Sequence, residues 1–309
     1  MTRPSSLRTH DVLGRKPRYA KDELTVHTDP NALRRVTRAL RGGGRRVTLV
    51  PTMGALHEGH RELMRRARSI PGSTTVVSLF VNPRQFGPHE DFDRYPRAFD
   101  ADLEMCREEG VELVFAPEVD AMYPPGFSTT IDPGPLGAEL EGAARPGHFA
   151  GVLTVVNKLF AIVAPDVAFF GEKDYQQLTL VQRMVRDLDI DVHIVGVPTV
   201  REEDGLARSS RNVYLDADAR RAAVAISAAL AAGRFAGEHG PAAVVAAARE
   251  VLDAEPALDV DYVELRDPDF GPAPEIGPAR LLIAARAGIT RLIDNAPVSM
   301  VRRDQAMPG

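Results

Sequence analysis

The chain has 309 residues, 44% of them hydrophobic, a formal net charge of −5 and a single cysteine. That length suits one large and one smaller domain. One cysteine excludes an intramolecular disulfide framework, and the slightly acidic balance argues against nucleic acid as partner. No uninterrupted apolar run approaches the roughly 20 residues of a membrane span.

Residues 1–22 read as a loose arm. Through Lys21 they carry six Lys or Arg against one Asp and no apolar core, so they do not form a signal peptide, and the expected compartment is the cytoplasm. A helical pattern follows near 30–41, then Arg41-Gly42-Gly43-Gly44, which precedes its strand. It is therefore a helix-to-strand loop and not a dinucleotide fingerprint, and no Gly-Lys-Ser/Thr P-loop occurs. Strand-like runs at 46–51, 75–81, 112–116, 166–170 and 192–198 then alternate with helical patterns near 59–70, 98–109, 149–163 and 174–187. Such alternation predicts an α/β fold, a Rossmann-like doubly wound parallel sheet, over 1–199. Near Thr199 the pattern changes. Ala-rich helices at 216–233 and 241–254 and strands at 260–265, 280–285 and 290–294 predict a second, smaller α+β lid domain over 200–309. Cys106 falls in a helical stretch with Leu103 and Met105 and reads as a small core residue.

The segment Pro51-Thr52-Met53-Gly54-Ala55-Leu56-His57-Glu58-Gly59-His60 carries the most information. Ahead of it lies an apolar, β-branched strand. After it Leu63, Met64, Ala67 and Ile70 recur at helical spacing, while Arg61, Glu62, Arg65, Arg66 and Arg68 take the wet positions. The helix should start at Glu58 or Gly59. A helix start offers unpaired N–H groups and partial positive charge to an anion such as phosphate, and Gly54 and Gly59 let a ligand approach the backbone. His57 and His60 share one face there. Each can donate to a phosphate oxygen or, as a cation, neutralise charge as a phosphoryl bond breaks. Zinc is a poorer reading, because such sites take about three or four ligands, and the helical metalloprotease motif spaces its histidines four apart, whereas these stand three apart.

A second strand-to-helix site lies at Gly171-Glu172-Lys173-Asp174, where Lys173 would project at a carboxyl end of the sheet as a point charge for phosphate. Ser209-Ser210-Arg211-Asn212 offers two hydroxyls and a guanidinium in a Gly-containing loop that could fold over a triphosphate, with Ser or Asn capping of the next helix as the alternative. Asn82, Gln85 and Gln177 can converge at the sheet's carboxyl edge as neutral amide donors and acceptors, and Pro51, Met53, Phe80 and Val152 could supply an apolar wall. Arg145 and His148 form a polar turn, and Asp100 and Asp102 are candidate magnesium-water ligands.

Five ordered blocks, 51–60, 80–87 (Phe-Val-Asn-Pro-Arg-Gln-Phe-Gly), 145–152 (Arg-Pro-Gly-His-Phe-Ala-Gly-Val), 170–177 (Phe-Gly-Glu-Lys-Asp-Tyr-Gln-Gln) and 209–212, resemble the pantoate–β-alanine ligase family of the His-x-Gly-His nucleotidyltransferase superfamily. The resemblance implies a two-step ligation. ATP, accompanied by Mg2+, activates the carboxylate of pantoate as an acyl adenylate with loss of pyrophosphate, and the amine of β-alanine then displaces AMP. It implies catalytic roles for His57, His60, Lys173, Ser209, Ser210 and Arg211, with His60 as general acid. ATP contacts are implied over 53–60 and 171–174 and at Val200, Arg208, Ser209, Ser210 and Arg211. Pantoate contacts are implied at Gln85 and Gln177, Gln85 also lying near β-alanine. A homodimer is implied as well. Arg208 departs from the pattern, an apolar residue being commoner there. The competing readings are another nucleotidyltransferase with a second anion site, a tRNA-charging enzyme fragment, for which no basic RNA-binding module is visible, and a non-catalytic ATP-binding regulator.

Overall fold

The computed structural model describes residues 19–20, 23–88, 90 and 92–301. Most of the expected arm at 1–22 therefore lies outside the described residues. Tyr19 does not behave as part of a loose arm: it packs against the core, and its hydroxyl donates to Glu112 at 2.8 Å.

The first part of the chain runs β1 (Thr25–His27), α1 (Pro30–Gly42), β2 (Arg46–Thr52), α2 (Glu58–Arg68), β3 (Ser73–Leu79), α3 (Phe99–Glu108), β4 (Leu113–Phe115), the single turns α4 (Val119–Met122) and α5 (Glu141–Ala144), α6 (His148–Val163), β5 (Val167–Gly171), α7 (Tyr175–Asp187) and β6 (His193–Val197). The strands form one parallel sheet in the order β1-β4-β3-β2-β5-β6. Local chemistry sets the elements. α1 begins where Asp29 accepts from the Asn31 amide at 2.9 Å and Pro30 fills a first-turn position that needs no N–H. Its stripe of Leu33, Val36, Thr37 and Leu40 is buried. The central strand β2 is buried on both faces. Val47 and Leu49 join a core with α1, α6 and α7, and Val50 joins a second core with α2 and α3. Two cores on opposite faces are what double winding means. Cys106 is buried in the second core. β1 is absent from the sequence reading because three residues are too few to show a period; its pairing with β4 makes it a strand.

The second part comprises α8 (Ala217–Phe235), α9 (Pro241–Asp253), β7 (Leu258–Arg266), β8 (Gly277–Ala287) and β9 (Thr290–Met300), the strands forming a separate antiparallel sheet. β8 and β9 pair from Gly277↔Met300 to Ala287↔Thr290, well beyond the predicted strand ends. Asp216 caps α8, accepting from the amides of Asp218 and Ala219 at 3.1 and 2.8 Å, which leaves the 209–212 segment free of that task. The Ala-rich helices and this sheet share a third core. Polar ties join the two parts: Arg280 to Glu172 at 2.8 Å, Arg291 to Glu141 at 2.6 and 2.7 Å, and the Tyr175 hydroxyl to the carbonyl of Pro268 at 3.0 Å. No helix among the described residues is long and apolar enough to cross a membrane.

Candidate active site

The strand order reverses at β2, which continues to β3 on one side and is flanked by β5 on the other. Crevices at such switch points, beyond the carboxyl ends of the strands, are where open α/β sheets bind ligands. The turn after β2 and the turn after β5 face each other across a cavity of about 230 Å³, lined by Met53, His57, His60, Gln85, Lys173 and Ser210 among others. A second cavity of about 330 Å³ adjoins it and shares Arg145, Lys173, Gln177 and Arg211.

α2 starts at Glu58, as the pattern predicted, and the amides of His57 and Gly59 at this start already have side-chain acceptors. The His57 Nδ1 accepts from the Gly59 amide at 3.1 Å, and the His60 Nδ1 accepts from the His57 amide at 3.2 Å. The two rings lie 4.1 Å apart in a reciprocal capping box. With Nδ1 accepting, each neutral ring carries its proton on Nε2. Imidazole N–H groups thus join the remaining backbone N–H groups as donors at this helix start, the His57 and Gly59 amides being taken by the capping box. The protein's own groups favour neutral rings over imidazolium. Burial, then the Lys173 and Arg208 cations, bring His57 down to about 4; burial, then His57 and Lys173, bring His60 down to about 3.

The turn before the box is held by Asp102, whose carboxylate accepts from the amides of Ala55 and Leu56 at 3.0 and 2.7 Å. Ala55 has φ 50 and Gly54 φ 80. A Cβ on Gly54 would stand 2.9 Å from the Asp102 carboxylate, so this position needs glycine for both conformation and space. Asp102 is 4% exposed and is an anchor rather than a magnesium-water ligand, and the amides of Ala55 and Leu56 are likewise spent. Asp100 is exposed on α3, away from this role. The Glu58 side chain turns to Arg65 at 2.7 Å, leaving only its backbone for the site.

On the opposite side, Glu172–Asp174 forms a 3₁₀ turn between β5 and α7. Lys173 lies 3.8 Å from Asp174, and the Glu172 carboxylate is taken by Arg280. The 200–211 segment is a small hairpin, with Arg201 bridged to Ala207 and the Arg208 amide donating to the Val200 carbonyl at 2.9 Å. Val200 and Arg208 line the first cavity, and the Arg208 Nε is buried with no hydrogen-bond partner among the described residues. Ser209 caps the following 3₁₀ turn through the Arg211 amide at 3.2 Å, and the Ser210 hydroxyl lies 3.1 Å from that of Tyr95.

The amide pair needs one revision. Asn82 is 1% exposed and fully engaged: its Nδ2 donates to Gln85 Oε1 and the Gly151 carbonyl, and its Oδ1 accepts from the Arg84 amide and the Tyr123 hydroxyl. It lines the first cavity and orients Gln85. Gln85 keeps its Nε2 against only the Met53 sulfur, a weak acceptor. The Arg145–Glu90 pair and His148 support the Gln85 backbone: Arg145 and the His148 Nδ1 both meet its carbonyl, at 3.3 and 2.8 Å. Gly151 makes this packing possible, since a Cβ there would lie 2.1 Å from the Arg84 carbonyl. Gln177 lines both cavities, while Pro51, Phe80 and Val152 line the first. Sequence reading missed the anchoring of Asp102 and the reach of Asn295 from β9 to the Lys173 turn. Both are contacts across distant elements that leave no local pattern.

The sequence model of the pantoate-beta-alanine ligase family matches residues 25–297. The pantothenate synthetase of Saccharopolyspora erythraea is 62% identical over 296 residues, covering 96% of this chain and 98% of that protein. That of Mycolicibacterium smegmatis is 61% identical over 289 residues, covering 94% and 92%. The crystal structure of pantothenate synthetase from Thermus thermophilus superposes with a TM-score of 0.82 at 47% identity, covering 88% of this chain and 98% of that one. The Francisella tularensis pantoate-beta-alanine ligase, solved with beta-gamma ATP and beta-alanine, gives 0.74 at 31% identity, covering 88% and 97%. With the matched span reaching from β1 into β9, the chain belongs to the pantoate–β-alanine ligase family.

Proposed function

We propose that this ligase condenses pantoate with β-alanine in two steps in the cavity between the ends of β2 and β5. A carboxylate oxygen of pantoate attacks the α-phosphorus of ATP, the bond to the β-phosphate oxygen breaks, and pyrophosphate leaves. The amine of β-alanine then attacks the acyl carbon of the pantoyl adenylate, loses a proton and expels AMP. A carboxylate is already a competent nucleophile, so the protein's work is positioning and charge stabilisation. The observation that carries this reading is the pair of Nε2–H donors fixed by the capping box opposite Lys173.

In this reading His57 and His60 donate to phosphate oxygens from the β2 side, and Lys173 meets them from the β5 side. The triphosphate's negative charge would raise the imidazole pKa values, letting His60 give its proton to the departing pyrophosphate. Ser209, Ser210 and Arg211 hold the outer phosphates, Val200 lies against the nucleoside, and Gln85 and Gln177 orient pantoate. Among the described residues no group of three or more His, Cys, Asp or Glu could hold a metal ion. Magnesium fits as part of MgATP, bound by phosphate oxygens and water, with Asp174 beside Lys173 as the carboxylate placed to accept from a bound water. We divide the chain at 199/200 and assign 200–309 as a lid whose closure keeps water from the adenylate. A cytoplasmic homodimer is the expected form, tested by sedimentation.

The test is pyrophosphate release from MgATP and pantoate with and without β-alanine. A stoichiometric burst without the amine, turning into steady AMP formation with it, supports the two steps. No pyrophosphate under either condition contradicts them.

A further inference from the structure

The 3₁₀ turn that carries Lys173 is held from a second direction as well. Asn295 on β9, 4% exposed, reaches across from the antiparallel sheet, and its Nδ2 donates to the carbonyls of both Glu172 and Lys173 at 2.9 and 2.8 Å. Its Oδ1 accepts from Arg280 Nε at 2.6 Å, which fixes which end of the amide faces the turn. Arg280 in turn grips the Glu172 carboxylate at 2.8 Å and stacks over the Tyr175 ring at 4.0 Å. The residue before Asn295 holds the other wall. Asp294, also 4% exposed, pairs with Arg201 at the base of the 200–208 hairpin that leads into Ser209–Arg211. Two adjacent residues of one strand therefore set the Lys173 turn and the serine-arginine loop against each other.

We propose that Asn295 is a positioning residue for adenylate formation, holding the Glu172–Lys173 backbone so that the Lys173 ammonium meets the transferring phosphoryl group. The proposal rests on the reading of Lys173 given above. A two-carbonyl clamp fixes the peptides on both sides of the Lys173 Cα, and so the direction in which its side chain leaves, and a displacement of about 1 Å in such a group costs on the order of 10²-fold in rate.

The test is a double-mutant cycle on the single-turnover rate of pyrophosphate formation from MgATP and pantoate, using the full chain. Asn295→Ala should slow this step about 10- to 100-fold alone, but less than about 3-fold once Lys173→Ala is present, because its effect passes through the lysine. Asn295→Asp keeps the side chain's volume and its bond to Arg280 while losing both donors; it should behave in the same way and serves if the alanine variant does not fold. A merely structural role would reduce the rate by the same factor in both backgrounds, and that result, or an unslowed Asn295 variant, would overturn the proposal. If Lys173→Ala alone leaves the rate unchanged, it is the assignment of Lys173 that fails.

Discussion

The two strand-to-helix turns that face each other in the cavity are built on different plans. The turn after β2 is supported within the first part of the chain: its two histidines form a reciprocal capping box, and Asp102 of α3 accepts from the amides of Ala55 and Leu56. The turn after β5 adds to its own 3₁₀ bonding a hold from Asn295 and Arg280 of the antiparallel sheet. The second turn thus draws part of its support from the antiparallel sheet, whereas the first draws none from it.

The largest expected effects remove the charges and donors at the two turns. Lys173→Ala and His60→Ala should each slow adenylate formation by about 10²–10³, the usual cost of a lost transition-state contact. Stopped-flow pyrophosphate release measures it, and near-normal rates in both would break the comparison at its root. Next, Asp102→Ala leaves two amides without acceptors and should cost about 1–3 kcal/mol of folding stability in urea. A similar loss of ATP affinity without any stability change would show that Asp102 serves the ligand and not the turn. Gln85→Ala should raise the pantoate requirement about tenfold, roughly 1.4 kcal/mol, with little change for ATP. An unchanged pantoate dependence removes Gln85 from the site.

The smallest effect is on pH dependence. His57 and His148 are brought down to about 4 and His60 to about 3, in each case mainly by burial. Below about pH 6.5 the unfolded chain takes up protons on these rings that the folded chain refuses, so stability is complete above that value and declines as acid is added toward pH 4. Urea unfolding between pH 7 and 5, where carboxylates are still largely ionised, should show stability falling with acid, and His148→Gln should flatten that slope. A pH-independent stability would contradict the buried neutral rings.

Much of the fold was legible because its signals are local. The parallel strands carry apolar runs, α2 has a clear stripe, and the strand-histidine-helix segment announces its own turn. What could not be read depends on contacts between distant elements. β1 is a strand only through its partner, Asn82 proved engaged only once Tyr123 and Gly151 closed around it, and Asp102 reads as a free acid until it is seen beneath Ala55 and Leu56. The candidate residues on the two turns were named from sequence, but the roles of their backbone groups were not, because capping by imidazole in place of a hydroxyl or carboxylate follows no common pattern.

The claim that pantoate is activated at the α-phosphorus between the two turns is tested most directly by oxygen transfer. With pantoate labelled with oxygen-18 in its carboxylate, the bridging oxygen of the adenylate stays with phosphorus when β-alanine attacks the acyl carbon. The account predicts one labelled oxygen in the AMP formed for each pantothenate. Formation of ADP in place of AMP, with the label in inorganic phosphate, would mean activation at the γ-phosphate and would contradict it.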